Sequence, residues 1–168
     1  SSSGGNDAFI TQFDTAGTFQ WFAKGGGINQ DEGLAIDVDA TGNAYMVGYY
    51  GGTITFGSSS VSSQAAENAY VVSYSPTGTL NWLKDPKSRL ANGSSRATGV
   101  AVDGMVRFCG NFEDSLSFGF FGIRSPAGSV SGFEAEYSLS GTPAAALVAG
   151  LELNAAASLS SSSGAFGG

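Results

Sequence analysis

The chain has 168 residues, of which 26 are Gly and only 12% are charged, with seven Lys plus Arg against fourteen Asp plus Glu and no His. A net charge of −7 repels a phosphate backbone and anionic lipid alike, so no nucleic-acid partner is expected, and with no apolar run near the roughly 18 residues of a spanning helix, no membrane insertion either. Without His the chain lacks the commonest general base and the commonest metal ligand, which excludes a Ser-His-Asp triad.

Residues 1–6, "SSSGGN", read as the end of a connector. From Asp7 the segment "DAFITQFDTAGTFQW" alternates Phe9, Thr11 and Phe13 with Ile10 and Gln12, the period of a half-buried strand. "DTAG" is a tight turn with Gly17 at its left-handed corner, and Phe19 to Lys24 returns as a second strand. "KGGGIN" reads as an inter-strand turn, because neither a Walker Lys nor a helix follows it. Leu34, Ile36 and Val38 then alternate with Ala35 and Asp37, "DATGN" reverses the chain, and Ala44 to Val47 closes a second hairpin. "TITFG" is a short further strand, ahead of a Ser-rich connector.

Sixty-one residues after Asp7 the pattern restarts without a gap as "NAYVVSYSPTGTLNW", Asn68 to Trp82. Phe9 matches Tyr70, Phe13 matches Tyr74, Gly17 matches Gly78 and Trp21 matches Trp82. A second hairpin follows in "GVAVDGMVRFCG", and "SLSFG" corresponds to "TITFG". A third, eroded copy, "GFEAEYSLSGT", sets Phe133, Tyr137 and Gly141 on the same positions but replaces the Trp by an Ala-rich stretch and carries Glu134 and Glu136 in its strand. "GLELNAAASLS" is its eroded second half. The divisions are residues 1–6 connector, 7–66 first repeat, 67–130 second repeat and 131–168 a divergent partial repeat. No helical periodicity competes.

Four antiparallel strands per unit of about 60 residues fit an all-β chain of β-propeller-type blades. The string Asp-Ala-Phe-x-x-x-x-Asp-x-x-Gly-x-x-x-Trp, followed by Gly-Gly, Ala-Ile-Asp-Val-Asp, Thr-Gly-Asn-Ala-Tyr and Val-Gly, resembles the bacterial seven-bladed β-propeller repeat family. The resemblance covers Asp7 to Gly57 well, Asn68 to Gly119 moderately and the remainder poorly. It implies blades on extracellular or cell-surface proteins, often without catalytic residues. Rings close with about four to eight blades, so two to three copies are expected to give an incomplete ring or an open array, completed by other copies of the chain or by further repeats. Both ends read as cut in mid-repeat.

Candidate chemistry is sparse. Asp37, Asp39 and Asn43 in "DVDATGN" place oxygen ligands at calcium-loop spacing, but the downstream Glu is missing and a hairpin turn explains the same residues. No other cofactor is indicated. Asp31 and Glu32, with Arg89 and Arg96 in the corresponding loop of the next repeat, are the weak ligand-binding set, expected in solvated loops. Trp21, Trp82, Tyr49 and Tyr50 read either as packing between blades or as sugar platforms. Asn92 opens an Asn-Gly-Ser sequon that a secretory eukaryote would glycosylate. Cys109, the one cysteine, lies in "MVRFCGNF" and reads as a small buried hydrophobe. The expected function is a non-catalytic extracellular structural or interaction module, part of a surface assembly or filament. The alternative is a carbohydrate-binding or carbohydrate-cleaving propeller.

Overall fold

The computed structural model describes residues 4–88, 91, 93–119 and 121–149. In chain order the strands are β1 (Ala8–Phe13), β2 (Phe19–Gly26), β3 (Asp31–Val38), β4 (Ala44–Tyr50), β5 (Thr53–Phe56), β6 (Ser59–Ser62) and β7 (Asn68–Tyr74). They continue as β8 (Leu80–Lys84), β9 (Lys87–Ser88), β10 (Ser95–Val102), β11 (Met105–Glu113), β12 (Ser115–Ser117), β13 (Gly122–Arg124), β14 (Val130–Ser138) and β15 (Pro143–Ala149). Every described pairing between strands is antiparallel, and none of the sheets closes into a barrel.

Among the described residues, three four-stranded sheets form: β1-β2-β5-β6, β3-β4-β7-β8 and β10-β11-β14-β15, here called the first, second and third. A small sheet, β13-β12-β9, accompanies them. The chain is therefore all-β and built from open, blade-like sheets. The boundaries differ from those of the sequence repeat. The second sheet joins the second hairpin of one repeat to the first hairpin of the next, β4 pairing with β7 from Ala44↔Tyr74 to Tyr50↔Asn68, and β11 meets β14 in the same way. The reason is local to β2. Its far end is already taken by β5, with Gly25 and Gly26 opposite Phe56 and Thr55, and the Phe56 ring lies where a Cβ on Gly25 would stand. The following hairpin then finds the free edge of the next repeat.

The sheets stack. Ala8, Ile10, Ile54 and Phe56 of the first pack on Met46, Tyr70, Val72 and Tyr74 of the second. The opposite face of the second, with Tyr45, Val47, Ala69 and Val71, packs on Val106, Phe108, Phe133, Ala135 and Tyr137 of the third. β4 and β7 are buried along their whole length, which is why both read as nearly unbroken apolar runs instead of alternating ones. Each large side chain so covered contributes about 1.5–3 kcal/mol.

Candidate functional site

The hairpin turns show how the repeat builds contact between sheets. Asp14, Ser75 and Ser138 each open a turn in which their N–H donates to a carbonyl four residues on and their own carbonyl accepts from a Gly three residues on, namely Gly17, Gly78 and Gly141. The Asp14 carboxylate and the Ser75 hydroxyl also accept backbone N–H groups inside the loop, which fixes the turn locally. These three glycines have φ of 80°, 79° and 78°, the left-handed region that Gly enters without a steric penalty. A register shift recurs beside each turn, at Gln12/Phe13, Ser73/Tyr74 and Glu136/Tyr137.

On the first two hairpins this geometry carries an indole from one sheet onto the turn of the next. Trp21 in the first sheet stacks on Tyr74 at 5.6 Å, its Nε1–H shared between Gln12 Oε1 within its own sheet and the Pro76 carbonyl at 3.0 Å. A Cβ at Gly78 would lie 2.7 Å from its ring. Trp82 in the second sheet repeats the contact on the third: it meets Tyr137, donates to the Leu139 carbonyl at 2.8 Å, and covers Gly141, where a Cβ would lie 2.8 Å from it. Over Gly17, the first seat of the series, no described atom comes within 4 Å of the Cβ position.

Next to that uncovered seat lies an aromatic face. Phe9, Phe13, Phe19 and Phe22 are 55–63% exposed, with Phe9 stacked on Phe22 and Phe13 edge-on to Phe19. Their repeat partners, Tyr70, Tyr74, Leu80 and Leu83, belong to the core between the first and second sheets. With ~200 Å² per ring, the four leave about 450 Å² of apolar surface, as much as the largest patch on an ordinary monomer. Alternation in the sequence showed that Phe9 and Phe13 share a face; it did not show which face is covered.

The residues with ligand-binding spacing are engaged in structure. Asp31 lies at the head of β3, fully buried, which corrects the expectation of a solvated loop: the 27–30 link folds over it, and its carboxylate accepts the N–H of Gly27 at 2.6 Å and of Gly51 at 3.3 Å. Burial pushes its pKa up to about 6 against the pull of those two bonds. Glu32, its neighbour on β3, accepts from Asn6 at 3.4 Å. In the next repeat Arg96 pairs with Glu67 through two nitrogens and lies 4.2 Å from the centroid of the Tyr49 ring. Asn6 and Glu67 are matching connector residues; their carbonyls accept the N–H of Asp31 and Ser95, the matching strand heads. The set thus divides into a repeated clasp between connector and sheet. Arg89 and the sequon residue Asn92 lie outside the described residues. Tyr49 and Tyr50 are buried and offer no open ring face for a sugar.

Asp39 organises the turn of the β3-β4 hairpin, accepting from Thr41 N and Oγ1, Asn43 N and Nδ2, and the Tyr45 hydroxyl at 2.8–3.0 Å. Burial raises its pKa, but the hydrogen bonds from Asn43, Thr41 and Tyr45 together outweigh that and hold it well below the usual carboxylate range. Asp37 turns instead to the third sheet, accepting the Val102 N–H at 2.7 Å. Among the described residues no three Cys, Asp or Glu side chains converge as metal ligands would. A hollow of about 370 Å³ opens beside the Trp82 seat, between Leu83, Asp85, Phe118 and Tyr137; its acid, Asp85, is held by the Tyr50 hydroxyl at 2.7 Å and Lys87 at 2.9 Å.

No protein-family model matches the chain, and no curated protein matches it either. What distinguishes the molecule is its own repetition, and the two ends of the stack differ. The outward surface of the third sheet carries Cys109, Glu134 and the Arg107–Glu136 ion pair. Cys109 is exposed there, a correction to the buried reading, because Phe108 before it faces the core and the residue paired with it across the sheet is Gly99, which has no side chain to cover the thiol. The outward surface of the first sheet is the Phe face.

Proposed function

We propose that this chain is a non-catalytic structural and interaction module, displayed outside the cell as part of a larger assembly of blade-like repeats. The observation that supports this reading is the contact that propagates from sheet to sheet, an indole on a turn glycine, and ends on an apolar face. Carboxylates with the spacing of a site are bonded to backbone and neighbouring side chains, so their chemistry is structural. The hydroxyl-rich, Lys-poor composition suits an exterior surface, as does the resemblance to bacterial propeller repeats.

Carbohydrate recognition has less support, since Glu32, Arg96 and the Tyr49 ring are engaged with Asn6, Glu67 and Arg96 respectively. Electron microscopy and light scattering of material purified from its source test the proposal. Rings, stacks or filaments are expected. A compact monomer that binds a glycan on an array would replace this reading with the carbohydrate one.

A further inference from the structure

Among the described residues, the first sheet lacks three things that its counterparts have. β1 stands at the edge of its sheet, whereas the matching strands β7 and β14 have β4 and β11 on that side. Ile36 and Val38 on β3 are 54% and 52% exposed, whereas Val100 and Val102, which occupy the corresponding register on β10, opposite Phe108 and Val106, pack into the core. The Phe face and the Gly17 turn are uncovered, whereas Tyr70, Tyr74 and Gly78, and then Tyr137 and Gly141, are covered.

One object meets all three needs. In this fold a repeat contributes its first hairpin to one sheet and its second hairpin to the next. A single repeat placed before β1 would lay its first hairpin on the Phe face and pair its second hairpin with the β1 edge. The outer strand of that second hairpin would extend over Ile36 and Val38, as β10 extends over β3. The described residues just ahead of β1 follow the course required: the Asn6 carbonyl accepts the Asp31 N–H as the Glu67 carbonyl, at the end of the connector from β6, accepts that of Ser95.

We propose that the outer face and edge of the first sheet form a docking site for one further repeat of this type, joined ahead of Asp7, whose Trp seats on Gly17 and donates its indole N–H to the Thr15 carbonyl. The proposal rests on the assembly reading above and names the partner of that face. The required partner has a Trp at the position of Trp21 and small or branched residues at those of Ala8 and Ile10. A second copy of the described stack does not supply this: its own indoles already lie on Gly78 and Gly141, the Trp position of its third hairpin is Ala145, and its outward surface there is charged. Glu134 and the Arg107–Glu136 pair would lose their water against phenyl rings.

The test is a full chain in which residues 7–67 are repeated once, directly ahead of Asp7. Hydrogen exchange at those amides of the original β1 that are not bonded to β2 is expected to slow at least tenfold, and the chain to sediment as a monomer. Gly17→Ala, nearly silent for tryptophan emission in the original chain, should then red-shift the emission. An added repeat that proteases trim away, with β1 exchange unchanged, overturns the proposal even if native material assembles, since assembly would then use another face. So does a dimer of the original chain that Phe22→Ser dissociates, because the occupant would then be a second copy. A separate measurement does not depend on the added repeat folding. Phe9→Ser with Phe22→Ser should leave the urea midpoint of the original chain in place, while Tyr70→Ser with Leu83→Ser should abolish the transition; loss of the transition in both cases would make the Phe face part of this chain's own core.

Discussion

Gly17 and Gly78 provide a controlled experiment, since they share a turn, a φ within one degree and the same pair of backbone hydrogen bonds, and differ in what lies above them. Substituting Ala forces an L side chain into the left-handed region at both positions, at a cost of about 1–2 kcal/mol. At Gly17 the new methyl meets no described atom within 4 Å, and the cost ends there. At Gly78 it lies 2.7 Å from Trp21, while carbon atoms settle near 3.5–4.0 Å, so the indole must move by roughly 1 Å. That movement disturbs the indole N–H, shared between Gln12 Oε1 and the Pro76 carbonyl and worth about 1 kcal/mol net, and opens the stack on Tyr74, worth ~1 kcal/mol beyond area. The expected loss at Gly78 therefore exceeds that at Gly17 by about 2 kcal/mol. Urea unfolding followed by circular dichroism measures the difference, and tryptophan emission reports the displaced ring. Equal losses at the two sites would refute the view that the indole on the turn holds the sheets together.

Asp31 and Asp39 shape the pH dependence in opposite directions. Asp31 has a folded pKa near 6 against an ordinary 3.8, so the stability it permits is full below about pH 4 and falls, by of order 2 kcal/mol, as pH rises through 6. Asp39 has a lowered pKa, so its contribution is full above about pH 4 and is lost on further acidification. Stability should peak near pH 4, and Asp31→Asn should remove the decline between pH 4 and 7; an unchanged decline would mean that another group causes it. Asp39→Ala, which removes the acceptor of five hydrogen bonds, should cost about 2–3 kcal/mol at neutral pH, measured by the same urea titration. Cys109, being exposed, should react stoichiometrically with a thiol reagent without denaturant, and a protected thiol would contradict the exposed position of β11.

The sequence determined the parts. Strand alternation, the Asp or Ser and Gly of each turn, and the 61-residue repeat were all legible because they depend on contacts within a few residues or on identity between copies. The hairpins stand where those signals put them, and Glu134 and Glu136, two apart in β14, lie opposite Cys109 and Arg107 on one face. Three matters were decided only in the tertiary structure. Which hairpins share a sheet followed from the β5 strand closing off the end of β2, a contact over some thirty residues that leaves no periodic trace. The burial of Asp31 and exposure of Cys109 depended on what lies across from each, since a strand position fixes a direction and not the neighbour found there. The same holds for Phe9 and Tyr70, matched residues of one repeat: one is open and the other enclosed, because Tyr70 has a sheet in front of it and Phe9 ends the stack.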